Sequence, residues 1–312
     1  MDLTRYVNTF GNYLRQKYGE PIHKLSVNAD FTCPNRDGTK GIGGCSFCNN
    51  NSFSPASTKA GSVTAQLNAA RTRVEQVRKA RRFIAYFQSY SNTYGEIERL
   101  KALYDEALAA DEIIGLAIGT RPDCVPDPVL ELLADYQQQG HEIWLELGLQ
   151  SSFDASLERI NRGHTFADYE DAVQRAHHFG LNLCTHLIMG IPGETAKDTL
   201  TSYQRVLDLG IKAIKIHPLH IVKGTQLARE WKQGLVPDLT MDDYVNTVVE
   251  IIKTAPKELL FHRLTGSGAH QYLLAPDWVK HKWDILGGIY ERLEEAVAKA
   301  QFSGIGDDLI LQ

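Results

Sequence analysis

The chain has 312 residues, 23% of them charged, and a formal net charge of −5, which is ordinary for a soluble globular protein and does not by itself indicate nucleic-acid binding. No apolar run reaches the roughly 18 residues that a membrane-spanning helix needs, and the opening MDLTRY lacks the basic segment and apolar core of a signal peptide. Five cysteines, three of them clustered, argue against a disulfide framework, so we expect a cytoplasmic protein.

The hydrophobic pattern predicts helices and strands that alternate along most of the chain. An amphipathic helix over 3–18 is expected to cover one end of the core. Strands are then predicted at 25–31, 83–90, 113–118, 142–149, 181–189 and 213–217, with helices at 62–81, 96–110, 128–139, 154–161, 166–179 and 195–209. Six strands spaced by about 30 residues predict βαβ units and a parallel sheet. Six units are fewer than the eight of a closed (β/α)8 barrel.

The regular alternation of predicted strands and helices ends after about residue 222. Helices are predicted at 240–255 and 280–300, with a short strand near 258–264. We expect an N-terminal helix and barrel core at 1–221 and a C-terminal, mainly helical extension at 222–312 that closes the side of the barrel.

The loop after the first predicted strand holds Cys33, Cys45 and Cys48 in a C-x11-C-x2-C pattern with four glycines. Glycine lets a backbone fold tightly around a bound object, and thiolates suit zinc or iron–sulfur clusters. Structural zinc takes four protein ligands, and no fourth ligand is evident nearby. Three cysteines around a four-iron cluster would leave one iron open. The loop therefore predicts a metal centre, with a structural zinc knot as the alternative to an iron–sulfur cluster.

The segment NADFTCPNRDGTKGIGGCSFCNN resembles the radical S-adenosylmethionine (SAM) superfamily, and within it the elongator-type branch and a bacterial subfamily often labelled YhcC/YtqA. The resemblance covers most of the chain and implies an α/β fold with a partial, open (β/α)6 barrel. It implies two cofactors, a 4Fe–4S cluster on the three cysteines and SAM, whose methionyl amine and carboxylate bind the open iron. Electron transfer to SAM then releases a 5′-deoxyadenosyl radical that takes a hydrogen atom from the substrate.

Further segments resemble the SAM site of that superfamily. Residues 146–151 resemble a "G-x-Q-S" segment, which implies that Gln150 bonds the ribose of SAM. Arg162 matches an arginine that pairs with the methionyl carboxylate, a task that suits a planar guanidinium; the alternative is a solvated helix end. Residues 188–195 resemble the motif beside adenine, or form an ordinary strand-to-helix turn. The resemblance implies that the adenine side is lined by Gly190, Ile191, Pro192, Gly193 and Glu194.

Other residues receive no assigned role. Residues 88–93 lack the carboxylate that many relatives present to the SAM amine, and no catalytic residue is predicted. His217, His220, His262 and Arg263 follow later strands, whose ends share one mouth in a parallel barrel. Each is a candidate substrate contact or an ordinary structural residue. We expect Cys124 and Cys184 to pack as small apolar groups.

The elongator-type resemblance implies a tRNA substrate and the conversion of a wobble carboxymethylaminomethyl-2-thiouridine toward its aminomethyl form. The expected partners are tRNA and an external electron donor, without a membrane; no oligomeric state is predicted. The alternatives are a radical SAM oxidoreductase acting on a small metabolite or porphyrin, and a metal-stabilised RNA-binding protein without catalysis. Candidate phosphate contacts are Arg71, Arg78 and Arg82, which equally fit a solvated helix face, and Lys280, His281 and Lys282.

Overall fold

The structure is a computed structural model that describes residues 2–49, 52, 61–78, 80–266 and 270–302, with backbone only at 76–78 and 300–302. Seven parallel strands form one curled sheet in the order β1-β2-β3-β4-β5-β6-β8. These strands are β1 Ile22–Val27, β2 Arg82–Phe87, β3 Ile113–Thr120, β4 Glu142–Gln150, β5 Asn182–Met189, β6 Ala213–Pro218 and β8 Leu260–Arg263. Two short strands, β7 Ile221–Val222 and β9 Leu273–Ala275, form a separate antiparallel pair.

Helices cover the outer face of this sheet. The helices are α1 Phe10–Tyr18, α2 Val63–Arg78, α3 Ile97–Leu108, α4 Asp127–Gln138, α5 Asp154–Arg159, α6 Phe166–His178, α7 Ala196–Asp208, α8 Gln226–Lys232, α9 Met241–Lys253 and α10 Lys282–Phe302. Their starts follow local capping chemistry. Thr165 begins α6, where the Asp168 backbone N–H donates to the Thr165 hydroxyl and the Thr165 N–H donates back to the Asp168 carboxylate.

The strands are buried on both faces, because helices lie outside them and a packed interior lies inside. In β4, Ile143, Leu145 and Leu147 belong to the large core beneath the helices, whereas Trp144 belongs to a second cluster inside the barrel. The side chain of Phe10 enters that second cluster and stacks on His262 with ring centroids 3.8 Å apart. Helix α1 therefore closes the end of the barrel at which the strands begin.

The predicted fold class, a partial parallel α/β barrel, is confirmed. Several elements differ from the prediction: the first strand is Ile22–Val27 and not 25–31, and β7, α8 and β9 were not predicted. The short strand expected near 258–264 is β8, and it pairs with β6 as the seventh strand of the same sheet. Four residues are too few to show a periodicity that would assign them to a sheet. The helix expected from residue 3 is a 3-10 turn at Leu3–Arg5 followed by α1, because Thr9 caps α1 by accepting from the Asn12 N–H.

The division at residues 221 and 222 remains a prediction. Within the part of the chain that the structure describes, no helix is both long and apolar enough to cross a bilayer.

Candidate functional site

The cysteine loop leaves the carboxyl end of β1 and folds back on itself. The backbone N–H of Arg36 donates to the Cys33 carbonyl oxygen at 2.8 Å, and the N–H of Cys48 donates to the Cys45 carbonyl at 3.0 Å. Cys33 and Cys45 are buried and Cys48 is half-buried, and all three are free thiols. Gly44 has a φ of +84°, and a Cβ there would lie 2.8 Å from Arg36 Nε. Glycine is thus required where the arginine crosses the loop.

Two other segments hold this loop in place. The Ser46 N–H donates to the Ile160 carbonyl and the Leu227 N–H donates to the Ser46 carbonyl, both at 2.9 Å. The Asn161 side-chain amide donates to the Gly44 carbonyl at 2.8 Å. The loop is therefore fixed between the end of α5 and the start of α8.

Two arginines lie beside the cysteine loop. Arg162 Nη1 lies 3.5 Å from Cys45 Sγ, and Arg36 Nη2 donates to the Cys48 carbonyl at 3.0 Å. Burial and the neighbouring Cys45 raise the pKa of Cys48 to about 11, against the opposing charges of Arg36 and Arg162. In the absence of a metal Cys48 is therefore protonated, and binding one displaces the proton.

Arg162 is buried and contacts several groups of the fold, so it is not a solvated helix end. It is 8% exposed, and besides the Cys45 contact its Nη2 donates to the Gly148 carbonyl at 2.6 Å and its Nε to His164 Nε2 at 3.0 Å. Burial, followed by Arg162 and Arg121, lowers the pKa of His164 to about 3, so this ring is neutral and can accept the bond. The contact of Arg162 with a SAM carboxylate remains a prediction.

Gln150 ends β4 in a left-handed conformation, with a φ of +79°. Its Oε1 is buried and has no hydrogen-bond partner. A buried acceptor without a donor costs stability, so this atom is suited to receive a hydrogen bond from a bound molecule. The Ser151 hydroxyl beside it donates to the Glu194 carboxylate.

That bond joins the end of β4 to the segment 190–194. Burial raises the pKa of Glu194, although bonds from Ser151 and Ser156 oppose the rise. Gly190 and Gly193 have φ values of +87° and +95°, and the Cβ position of Gly193 faces open space. Ile191 is buried and Pro192 half-buried. The structure thus brings the predicted SAM residues of β4 and β5 together, while their contacts with SAM remain predictions.

Strained backbone is concentrated at this end of the barrel. The described residues other than glycine with positive φ are Asp30, Tyr90, Gln150 and Asn161. Asp30, Tyr90 and Gln150 lie at or shortly after the carboxyl ends of β1, β2 and β4. Asn161 lies between α5 and α6, beside the cysteine loop. Such conformations cost of order 1–3 kcal/mol each and persist where function requires them.

Comparison with known proteins agrees with this geometry. The sequence profile of the radical SAM superfamily matches residues 33–206, and that of the Radical_SAM C-terminal domain matches residues 211–295. This chain belongs to the radical SAM superfamily. The predicted superfamily and enzyme class are therefore confirmed, and the non-catalytic alternative is not supported.

The chain is also similar to individual known proteins. Protein YhcC of Escherichia coli (strain K12) is 45% identical over 91% of this chain and 91% of its own length. The tRNA uridine(34) acetyltransferase of Dehalococcoides mccartyi (strain CBDB1) is 27% identical over 45% of this chain and 30% of its own length. The structure of archaeal Elp3 from Methanocaldococcus infernus, lacking its N-terminus, aligns with a TM-score of 0.57 at 19% identity, covering 77% of this chain and 55% of that one.

Radical SAM enzymes use a 4Fe–4S cluster and SAM, and the donor set of the cysteine loop fits the cluster. Among the described residues, no three His, Cys, Asp or Glu side chains converge as ligands of one metal ion, and so no closed zinc site is formed. A four-iron cluster takes each thiolate on a different iron atom, so its three ligands surround the cluster instead of meeting at one ion. Cys33, Cys45 and Cys48 are free thiols that could each bind a different iron atom, and their role as the three cluster ligands remains a prediction.

The other two cysteines are packed as predicted. Cys184 is fully buried in β5 against the interior cluster. Burial and Asp123 raise the pKa of Cys124 to about 12, which disfavours the thiolate that a cluster needs.

The segment after β2, residues 88–93, offers hydroxyl and amide oxygens where the sequence lacks a carboxylate. Ser89 Oγ and Asn92 Oδ1 are buried without hydrogen-bond partners, while the Asn92 amide donates to the Gly119 carbonyl at 2.6 Å. These acceptors suit the SAM amine in place of the carboxylate that other radical SAM enzymes present there. The sequence shows the residue types of this segment, whereas only the structure shows that these two oxygens are buried without partners.

A layer of charged side chains lies inside the barrel below the mouth. Glu146, fully buried on β4, accepts from Lys24 of β1 at 2.6 Å and from Lys215 of β6. His186 Nε2 lies 3.1 Å from the same carboxylate, and Lys215 reaches across to Tyr86 of β2 at 3.1 Å. Burial opposes ionisation of Glu146, but Lys215 and Lys24 outweigh it and hold the pKa of this carboxyl well below its usual range. The layer forms the floor of the site.

Above the cysteine loop a cavity of about 530 Å³ opens to solvent. That volume falls within the range of small-molecule sites. Its lining includes Arg36, Cys45, Cys48, Tyr90, Asn161 and Arg229.

Proposed function

We propose that this radical SAM enzyme modifies a wobble uridine of tRNA, converting the carboxymethylaminomethyl side chain of a 2-thiouridine toward the aminomethyl form. The observation that carries the proposal is the similarity of residues in the barrel to a tRNA uridine(34) acetyltransferase, together with the archaeal Elp3 fold. When bound, the cluster and SAM supply one-electron chemistry that abstracts a hydrogen atom. A carbon next to nitrogen, as in this side chain, stabilises the radical that results.

The mouth of the barrel supports a nucleotide substrate. Enzymes that act on a base of an RNA loop bind it splayed out, stacked on an aromatic or guanidinium plane. Tyr90 is 37% exposed at the mouth, with the Arg36 guanidinium 5.9 Å from its ring centroid. Arg229 lines the same cavity from α8. These side chains supply a stacking surface and positive charge for the flanking phosphates.

The arginines of α2 do not belong to this surface. Arg71 is paired with Glu112, which precedes β3, and Arg82 begins β2 and lies 2.5 Å from Glu20. Both lie at the end of the barrel where the strands begin, opposite the cysteine loop. The side chain of Arg78 lies outside the described residues. For an RNA bound at the mouth, we therefore expect the phosphate contacts to be other residues than Arg71 and Arg82.

The C-terminal rim is the better candidate for contacts with RNA. Residues 277–280 follow β9, whose partner β7 comes directly after β6 at the mouth. Trp283 is 71% exposed there, and Lys282 Nζ lies 5.8 Å from its ring centroid. An exposed aromatic ring beside lysines is a suitable surface for a single-stranded RNA segment.

The test is mass spectrometry of tRNA nucleosides from a strain that lacks the gene, with any parallel pathway also blocked. We expect carboxymethylaminomethyl-2-thiouridine to accumulate and the aminomethyl form and its derivatives to disappear. The parent gene should restore the profile and a Cys33→Ala gene should not. An unchanged nucleoside profile in the deletion strain would overturn the proposal.

A further inference from the structure

The interior of the barrel carries more positive than negative charge. Lys24 and Lys215 face it from β1 and β6, and Arg263 ends β8 in register with Lys215. Glu146 is the carboxylate that meets these two lysines, and it also contacts His186. Three basic side chains, Lys24, Lys215 and Arg263, therefore accompany one carboxylate whose contacts are already occupied, although burial lowers the pKa of both lysines. The interior is therefore arranged to receive a further anion.

Arg263 is the cation without a counterion. Among the described residues, no carboxylate lies within ion-pair distance of it, and its side chain is exposed. Its charge reaches the surrounding groups, since it contributes to lowering the pKa of His186, His217 and His220. A guanidinium in this position presents a planar pair of N–H donors that matches a carboxylate.

Two histidines lie close enough to Arg263 for its charge to contribute to lowering their pKa. His217 Nδ1 lies 3.3 Å from the Pro218 carbonyl, which holds its ring, and the rings of His217 and His220 meet edge to face with centroids 6.1 Å apart. His220 Nε2 is buried without a hydrogen-bond partner. A Cβ on Gly266 would lie 3.0 Å from His217 Cβ and 3.2 Å from His220 Nε2, so glycine is needed for the chain to pass them. Gly266, His217 and His220 therefore pack closely together, and His220 Nε2 remains a buried nitrogen without a hydrogen-bond partner.

We propose that Arg263, His217 and His220 bind a carboxylate of the substrate inside the barrel, on the side of the mouth formed by β6 and β8. This inference rests on the proposed function, in which the carboxymethylamino group of the wobble nucleoside supplies the carboxylate. The phosphates of an RNA stay on the rim, because they flank the base and do not enter the barrel with its side chain. A carboxylate is therefore the anion expected at this depth.

The site is tested first without any nucleic acid. Phenylglyoxal modifies accessible arginines, and peptide mass spectrometry follows the rate at Arg263 in the cluster-loaded enzyme. N-methylglycine, which carries the same N–CH2–carboxylate unit, should slow modification of Arg263, whereas its amide at equal ionic strength should not. Arg73, an arginine of α2 whose Nε bonds its own helix at 3.2 Å, is the internal control and should react equally in all samples.

Two results would overturn the assignment. Equal modification of Arg263 with N-methylglycine and its amide would mean that no carboxylate binds there. Protection by inorganic phosphate but not by N-methylglycine would assign the site to a phosphate instead.

The second experiment compares binding of the nucleoside 5-carboxymethylaminomethyl-2-thiouridine with binding of its methyl ester. The parent should prefer the acid by about 10- to 150-fold, as expected for a hydrogen bond to a charged group. Arg263→Gln should remove most of this preference, Arg263→Lys should keep part of it because the charge remains, and Arg73→Gln should keep all of it.

The outcomes separate the site from the proposed substrate. Protection of Arg263 in the first experiment without preference for the acid nucleoside would retain the carboxylate site and reject the wobble nucleoside. A preference that Arg263→Gln leaves unchanged would reject the site and retain the nucleoside.

Discussion

The guanidinium of Arg162 lies 3.5 Å from Cys45 Sγ and donates to the Gly148 carbonyl at 2.6 Å. One side chain thus joins the cysteine loop to the strand that ends in Gln150. A Cβ on Gly148 would lie 2.8 Å from both Arg162 Nη2 and Gln150 Nε2, so this strand must carry glycine at that position. The cysteine loop and the carboxyl end of β4 are therefore coupled through Arg162.

Substitution Arg162→Gln tests that coupling. Removing the positive charge beside Cys45 should lower the reduction potential of the cluster, because hydrogen bonds and charge at the ligand sulfurs set it. SAM affinity should fall by about 10- to 150-fold if the guanidinium also pairs with the methionyl carboxylate. Redox titration and equilibrium binding measure the two effects separately. A lower potential with unchanged SAM affinity would restrict Arg162 to the cluster.

The three loop cysteines should be required for the cluster, and the two other cysteines should not. Cys33→Ala should lose iron and SAM cleavage together, whereas Cys184→Ala, deep in β5, should retain both. Iron content, the visible absorption spectrum and 5′-deoxyadenosine formation after anaerobic reconstitution measure this. Loss of iron in Cys184→Ala, with the fold intact by circular dichroism, would contradict the three-cysteine site.

Glu146→Leu should be strongly destabilising. The substitution leaves Lys24 and Lys215 buried without their carboxylate, and breaking a buried ion pair typically costs about 3–5 kcal/mol. Urea unfolding measures the change. The matched control is Lys101→Ala, which removes an exposed i,i+4 pair with Asp105 and should cost at most about 0.5 kcal/mol. Equal costs for the two variants would mean that the interior layer contributes no more than a surface pair.

The same carboxylate gives the parent a distinct pH dependence. Because the folded pKa of Glu146 is depressed, its contribution is complete above the unfolded pKa of about 4.3. It is lost as the pH falls through the lower folded pKa. The free energy of unfolding should therefore decrease below about pH 4.3 by more in the parent than in Glu146→Leu.

Binding of tRNA should depend on the C-terminal rim and not on α2. The variant Lys280→Ala/Lys282→Ala/Trp283→Ala should weaken binding, and the slope of log affinity against log salt should fall by about 1 for each phosphate-binding cation that the variant removes. Arg71→Ala/Arg82→Ala is the control from the opposite end of the barrel. Binding to tRNA at several salt concentrations measures both. Weakening by the α2 variant alone would place the RNA at the other end of the molecule.

The sequence predicted those features that have a strong local signal. Strand and helix order followed from hydrophobic periodicity, and the cysteine loop from its spacing and glycines. The short strand near 258–264 was predicted, but its place as the seventh strand of the sheet was not, because that assignment depends on pairing with β6. Sequence can show a pattern within a segment but not the partner to which the segment hydrogen-bonds.

The interior layer was missed for a related reason. Lys24, Glu146 and Lys215 lie in otherwise apolar strands, and each alone suggests an exposed position. Only the folded barrel shows that Lys24, Glu146 and Lys215 face one another. The signal that the sequence does carry is a lone charge in the middle of a buried strand, as in AIKIHP.

Phe10 stacks on His262, and Glu146 with its lysines lies above them, so the barrel is closed at the end where its strands begin. Access to the interior is then from one direction. If SAM binds at Gln150 and Glu194 as predicted, a substrate large enough to cover the mouth would trap SAM beneath it, so that SAM must bind first and its nucleoside fragment must leave last. Kinetics with such a substrate should be ordered, and each modified molecule must dissociate completely before the next turnover begins.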